Sequence, residues 1–373
     1  MARDAFYESK AIYEDGSLRK SVVYGNRQSV IPKRYVCNVW FQPTKIFSSL
    51  PARYYYGIKK RYLDWVSSLV VRSGCDIFHG WSGEALLSLR QAKGRGAISF
   101  LEHPAPHILW SDKMMEEEYA LCGIRRPAVT NFPFLRRFPI VPELLLAELD
   151  LADYIVVQSS FSHQTMVDAG IDPHRLVLVS QGVDAEKFRP GLKENSVFRA
   201  IFVGSLNLRK GVRYLLEAWA QLQLKGAEVV LIGAVHDEVR SILGAYSGMS
   251  GLKLQGYVKD PVHLYHQASV FILPSLAEGS AKVIYEAMAC GLPVIVTPNA
   301  GAEIRDGIEG SIVPARDVRG LKERLLFFYE NEKRRREMGE AARALAEQFT
   351  WERRGRLLLS AYRVGLKRSC RLG

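Results

Sequence analysis

Between Asp15 and Asp64 the chain carries no acidic residue at all, although Asp and Glu number 39 overall. Ten positive charges fall in that window: Arg19, Lys20, Arg27, Lys33, Arg34, Lys45, Arg53, Lys59, Lys60 and Arg61. Trp40, Phe41, Phe47 and Tyr54 to Tyr56 are interleaved with them. Such a mixture suits anionic lipid headgroups; on charge alone it also suits nucleic acid, or an ordinary solvated surface. No nucleic-acid motif accompanies it, which argues against that partner. Cysteine is scarce too. The five Cys (Cys37, Cys75, Cys122, Cys290, Cys370) have no paired spacing, which argues for a reducing compartment and against a metal cluster. No apolar run approaches the roughly 18 residues of a membrane span, and no signal-peptide core opens the chain, so the expected location is cytoplasmic.

What is present is the composition of an ordinary globular protein, long enough at 373 residues to expect two domains. The most informative stretch runs from Leu273 to Thr297. Val270 to Leu273 reads as a buried strand that Pro274 ends, because proline has no N–H to give a ladder. Glu278-Gly279-Ser280 reads as a loop with cap chemistry, Ala281 to Cys290 as a short helix, and Val294 to Thr297 as the next buried strand. Gly291 suits the left-handed residue just past that helix, and Pro293 prevents its continuation. Strand, loop, helix and strand make a piece of a parallel α/β sheet. Amides near Gly279, Ser280 and Ala281, backed by the helix dipole, predict a phosphate site. Glu286 lies about 9 Å further along the helix, a nucleotide's reach from phosphate to ribose. The bland alternative is a pair of solvated Glu residues.

A second such turn follows the strand Arg199 to Val203. Gly204-Ser205-Leu206-Asn207-Leu208-Arg209-Lys210-Gly211 leads into a helix from Val212 to Leu222. Loop amides, a helix dipole and the Lys210 cation converge there, the makings of a diphosphate site. Toward the N-terminus, Phe6 to Ile12 reads as a helix and Ser21 to Tyr24 as a strand. Arg61 to Val71 and Glu84 to Lys93 read as helices, Asp76 to His79 and Ala97 to Leu101 as strands. Glu102, His103 and Pro104 then stand at a strand's carboxyl end, where ligands of doubly wound sheets gather. A structural role for His103 is the alternative, and His107 is a weaker competitor. Helices are expected over Lys113 to Glu118 and Leu144 to Leu151, with Arg125, Arg126, Arg136 and Arg137 in an irregular segment between them.

The run from Glu278 to Val294, a Glu, seven residues, a second Glu and then Ala-Met-Ala-Cys-Gly-Leu-Pro-Val, resembles the retaining glycosyltransferases of family 4. The resemblance implies the GT-B architecture: two Rossmann-like α/β domains facing across a cleft. It runs from about residue 152 to 362, through Asp153 to Ser159, Gln181 to Asp184 and Phe188-Arg189-Pro190. It implies an N-terminal, acceptor-side domain over 1–190, a nucleotide-sugar domain over 191–348 and a terminal helix, 349–373, folding back onto the first domain. The family's first strand and Gly-rich loop would precede residue 1, so the N-terminal domain is expected to lack its first strand, pointing to a misplaced start or a fragment.

By the same resemblance Glu278 lies beside the donor sugar, Glu286 binds ribose, and Lys210 meets the diphosphate with Gly204 and Ser205. Ser205 stands where the family carries a basic residue, and Arg209 is the candidate replacement. Gly256, Tyr257, Val258 and Asp260 flank the base, and His103 lies between donor and acceptor. The pattern departs at Gly279-Ser280-Ala281-Lys282, where Lys282 is new and either contacts the diphosphate or points to solvent. The implied reaction moves a sugar from a UDP- or GDP-linked donor, with retention, to a glycan or lipid-linked acceptor for a bacterial cell surface. Peripheral contact with an anionic membrane is expected, and no cofactor or metal, because the chain has no Asp-any-Asp motif in a strand-end setting. The alternatives are a truncated or degenerate nucleotide-sugar binder and a sugar-nucleotide epimerase of the same fold.

Overall fold

A computed structural model describes residues 10–18, 21–23, 36–38, 52–126, 142–192 and 197–372. A short helix, α1, covers residues 10–14. Strands β1 (Ser21–Val23) and β2 (Val36–Asn38) pair in parallel, Ser21 opposite Val36; the second of these was not anticipated from the sequence. Helix α2 covers Ala52–Val71, starting nine residues before the expected Arg61.

The first layer is a four-stranded parallel sheet in the order β3-β4-β5-β6. Its strands are β3 (Ile77–Trp81), β4 (Ile98–Glu102), β5 (Tyr154–Val157) and β6 (Leu176–Leu178). Helices α3 (Leu86–Lys93), α4 (Ile108–Leu121), α5 (Pro142–Leu151) and α6 (Ser160–Asp168) connect them. Strand β4 is buried along its whole length, as an apolar strand covered on both faces must be. Residues 1–9, with most of the Phe6 to Ile12 helix reading, lie outside the described residues, as do Arg136 and Arg137. Arg126 is described, ion-paired with Asp112 at 2.6 Å.

The second layer is a six-stranded parallel sheet in the order β12-β11-β10-β7-β8-β9. Strands β7 (Phe198–Val203), β8 (Ala227–Ile232) and β9 (Leu252–Gly256) run outward on one side. Strands β10 (Val270–Leu273), β11 (Val294–Val296) and β12 (Gly310–Ile312) run outward on the other. Strand order therefore reverses between β7 and β10, and a crevice at their carboxyl ends is the place where such sheets take ligands. Helices α7 (Val212–Leu222), α8 (Arg240–Ala245), α9 (Val262–His266) and α10 (Lys282–Ala289) cover the sheet with α11 (Val318–Glu330) and α12 (Glu332–Ala346). Its core is continuous, including Ile201, Leu215, Phe271, Ile284 and Phe328. Each such fully buried side chain contributes about 1.5–3 kcal/mol of transfer free energy before chain entropy is counted.

The final helix, α13 (Trp351–Leu372), lies against the first sheet: Leu358 and Tyr362 join Ile98, Phe100, Val156 and Val179 in one apolar cluster. Beneath that cluster a buried polar network ties helix to sheet. The Arg354 guanidinium donates to Glu102 Oε1 at 2.8 Å and to the carbonyls of Val179 and Ser180 at 2.6 and 2.9 Å. Gln158 Nε2 donates to the same Glu102 oxygen at 2.7 Å, and the Tyr362 hydroxyl pairs with His79 Nδ1 at 2.7 Å.

Helix α4 differs from expectation in length and place. It spans Ile108–Leu121 rather than Lys113 to Glu118, and its Met114, Met115 and Tyr119 pack on the core of the second sheet. Buried Glu118 accepts from the Tyr214 hydroxyl at 2.6 Å and from Arg316 Nε at 3.1 Å. Two cross-layer bonds to one buried carboxylate explain why a segment from the first half docks on the second.

Candidate active site

The crevice between β7 and β10 is lined by the two turns singled out in the sequence. Asn207 shapes the first: its side-chain carbonyl accepts from the Lys210 amide at 3.0 Å, capping a one-turn helix over Leu208–Lys210. Gly211 then adopts φ 68° and starts α7. A Cβ there would land on the Pro274 carbonyl oxygen, so only glycine lets the two turns meet. That close approach brings Lys210 Nζ to 2.8 Å from Glu278 Oε1. Arg209 Nη1 reaches the same carboxylate and also donates to the Ala277 carbonyl at 2.8 Å. Burial pushes the Lys210 ammonium toward losing its proton, while the Glu278 carboxylate beside it pulls the other way. One carboxylate and two cations thus stand together at the switch point, with Arg209 the more open of the two cations.

The start of α10 is less open than the sequence suggests. Ala281, not Glu278 or Ser280, is the residue before the helix, and no side chain caps it. The Ala281 amide is spent on the Ala300 carbonyl at 3.1 Å, which removes it from the expected set of free phosphate donors. Ser280 is buried beside it. Gly279 makes the layers touch. A Cβ there would strike the Pro104 carbonyl, and the Gly279 carbonyl accepts from the hydroxyls of Ser159 and Ser162, the latter at 3.1 Å. Glu303 adds a clasp, accepting from the Ser160 amide at 2.6 Å and its hydroxyl at 3.0 Å. These serines were missed as site residues. Ser159-Ser160-Phe161-Ser162 after a strand is a legible N-cap signal, and Ser159 does cap α6 through the Ser162 amide, but a cap signal does not say which second domain its hydroxyls will meet.

The Lys282 ammonium lies over the Trp351 ring, 5.7 Å from the centroid, at the start of α13. Glu286 is half-buried on α10 and accepts from the Tyr265 hydroxyl at 3.4 Å, and burial with that carboxylate holds the Tyr265 hydroxyl well above its usual range. Tyr257, just past β9, is 77% exposed, and Val258 beside it packs on the core. Gly204 and Ser205 follow β7, with the Lys210 side chain passing Gly204.

His103 follows β4 and is 3% exposed. Its Nδ1 is 3.0 Å from the Ser82 hydroxyl and its Nε2 3.3 Å from the Pro106 carbonyl. Burial pushes its pKa down to about 4, so the ring is neutral at pH 7. The next residue, Pro104, is the one that meets Gly279, which places His103 beside the junction of the two layers. His107, before α4, is also buried and shifted down by burial.

A scan of known families matches residues 197–331 to Glycosyl transferases group 1. The matched residues run through the second layer from β7 to the end of α11. A curated relative, D-inositol 3-phosphate glycosyltransferase of Geodermatophilus obscurus, is 29% identical over 289 residues, covering 68% of this chain and 61% of its own length. The chain thus spans about three fifths of that relative. Among solved structures, sucrose-phosphate synthase from Thermosynechococcus elongatus superposes with a TM-score of 0.69 at 18% identity, covering 95% of this chain and 91% of that one. Anabaena HepE in complex with UDP superposes at 0.62 and 15% identity, covering 80% and 81%. At these identities the likeness is one of fold: the chain has the two-domain GT-B fold. Within it, the second layer carries Arg209, Lys210, Glu278 and Glu286, and the first carries His103 and the serines that meet Gly279.

Proposed function

We propose that the protein is a retaining glycosyltransferase of family 4 that moves a sugar from a UDP- or GDP-linked donor to a glycan or lipid-linked acceptor of a cell-surface polysaccharide. The observation that carries this reading is the Lys210–Glu278–Arg209 cluster at the β7/β10 switch point, within the residues that match Glycosyl transferases group 1. When the bond from the sugar's C1 to the diphosphate loosens, negative charge grows on the leaving phosphate. Lys210 and Arg209 are fixed in advance to meet that charge, with the remaining loop amides near Gly279, and a preorganised cation needs no rearrangement as the reaction proceeds. Glu278, already paired with both cations, orients donor hydroxyls and does not attack C1. Glu286 binds ribose, and Tyr257 lies beside the base. His103, neutral, holds a hydroxyl of the donor sugar.

Binding of UDP and UDP-glucose by a protein of the same fold supports the choice of donor class. Helix α2 supports peripheral membrane contact: Tyr56, Trp65 and Leu69 are exposed on a helix that also carries Lys59, Lys60 and Arg61. Among the described residues no helix is long and apolar enough to cross a membrane. The test is release of nucleoside diphosphate from a panel of UDP- and GDP-sugars with a polyprenyl-linked glycan acceptor, followed by NMR of the product's anomeric proton. Retained configuration, dependent on Lys210, supports the proposal; inverted configuration, or turnover undiminished in Lys210→Met, overturns it.

A further inference from the structure

Helix α5 carries an acidic residue where its apolar sequence has no use for one. Glu148 is fully buried, and its carboxylate accepts from the amides of Gly83 and Ala85 at 2.5 and 2.9 Å. The Ser82 hydroxyl lies 3.3 Å from Glu148 Oε2 and 3.0 Å from His103 Nδ1. A line of polar groups therefore runs from α5 through the loop after β3 to the histidine after β4, and ends at the Pro106 carbonyl, 3.3 Å from Nε2.

Two arrangements keep both contacts of the Ser82 hydroxyl, to Glu148 and to His103, hydrogen-bonded. The Pro106 carbonyl can only accept, and the Ser82 hydroxyl has a single proton to give. With Glu148 ionised, Ser82 donates to the carboxylate and its oxygen accepts from Nδ1–H. Nε2 then presents a bare lone pair. With Glu148 protonated, every bond reverses: Glu148 donates to Ser82, Ser82 donates to Nδ1, and Nε2–H closes on Pro106.

We propose that Glu148, acting through the Ser82 hydroxyl, is a positioning residue that sets which ring nitrogen of His103 carries the proton. In the ionised arrangement Nε2 accepts a hydrogen bond from a ligand hydroxyl; in the protonated arrangement it is closed to one. The consequence for transfer rests on the reading of His103 as the residue that meets the donor sugar. Burial raises the Glu148 pKa to about 6, against the Gly83 and Ala85 amides that lower it and with Asp64 of α2 adding to the rise. The other charged groups facing this line are Lys60 of α2, whose ammonium is 3.4 Å from the Ser82 carbonyl, and Glu84, itself raised by burial. His107 faces His103 and disfavours a second charge there. The open arrangement thus holds at neutral pH and closes as pH falls through about 6.

The test is 15N NMR of the full chain labelled at histidine, without ligand, from pH 5 to 8, with the His103 signals assigned by loss in His103→Gln. The expected result is a neutral ring that changes from Nδ1–H above about pH 6 to Nε2–H below it. Glu148→Gln, which has no proton to gain or lose, is expected to show one tautomer throughout, and Ser82→Ala to abolish the transition. A wild-type tautomer that does not change over this range, or an unaltered transition in Ser82→Ala, overturns the proposal. A kinetic arm separates it from the transfer reading: Ser82→Ala is expected to lower kcat about tenfold, the worth of one hydrogen bond, with donor Kd unchanged and Ser82→Thr restoring the rate. A tautomer transition with kcat unmoved supports the relay and overturns the sugar-binding role of His103.

Discussion

Arg354 is the buried cation on which α13 is anchored, and its removal should be felt well beyond one bond. Arg354 is 2% exposed and Glu102 fully buried. Arg354→Met keeps the apolar stem but takes from Glu102 the guanidinium ion-paired with it, and leaves the Val179 and Ser180 carbonyls without that donor. Gln158 still donates to the carboxylate at 2.7 Å, yet a neutral amide does not balance a buried charge. Breaking a buried pair from one side costs about 3–5 kcal/mol. The second half of the reasoning concerns His79. Its Nε2 lies 3.7 Å from Glu102 Oε2, and burial first, then Arg354, push its pKa down to about 3. Without Arg354 the second of those pressures is gone, so the variant's folded state takes up a proton on His79 at higher pH than the wild type does. The variant therefore loses less stability on acidification, and the gap between the two proteins narrows as pH falls from 7 to about 3, where the wild-type His79 takes up its proton. Urea unfolding followed by circular dichroism at both pH values measures this. A gap below about 1 kcal/mol at pH 7, or one that does not change with pH, refutes the account of the network.

Three further outcomes follow from the geometry. Gly211→Ala forces a Cβ onto the Pro274 carbonyl at a positive φ, so it should separate the two turns of the site and abolish nucleotide binding while the first domain stays folded; calorimetric titration with UDP and GDP checks it. Glu286→Ala should weaken nucleotide binding by about 1.5–3 kcal/mol, the worth of charged hydrogen bonds to ribose, and an unchanged Kd would take Glu286 off the ribose. The pH dependence of stability has a sign fixed by three groups. His79 and His103 have folded pKa values of about 3 and 4 against an ordinary 6.5, so their stabilising contribution is present above pH 6.5 and lost as pH falls. Glu148, raised from 4.5 to about 6, opposes them, its contribution being lost as pH rises through about 6. Near pH 5.5 the unfolded chain binds about one proton more from these groups taken together, so stability should rise with pH by about 1.5 kcal/mol per unit; a flat or falling profile there contradicts the burial of the two histidines.

The second sheet was legible because its strands are continuous apolar runs bounded by proline and glycine, and because its ligand loops repeat one pattern, a strand end, a glycine and a helix. Lys210, Arg209 and Glu278 came together as that pattern implies. What was not legible depends on long-range contacts. Local signals mark Ser159 as a cap but cannot show its hydroxyl meeting Gly279. The amide of Ala281 seemed free because a helix start leaves amides unpaired, and only tertiary packing against Ala300 fills it. Nor does the sequence show that the Lys282 ammonium lies over the Trp351 ring, which belongs to a helix about seventy residues away. Helix α4 carries no sequence mark of its second-domain docking, since Met114 and Met115 would serve equally well in either core.

The central claim is that a nucleoside diphosphate group docks against Lys210 and Arg209 at the β7/β10 crevice. Isothermal titration of the full chain with UDP, GDP and ADP, repeated on Lys210→Met, tests it most directly. One nucleotide should bind at micromolar to millimolar Kd, and the variant should lose at least about tenfold, since it removes a charged hydrogen bond to phosphate. A folded wild type that binds none of them, or a variant that binds as tightly as the wild type, contradicts it.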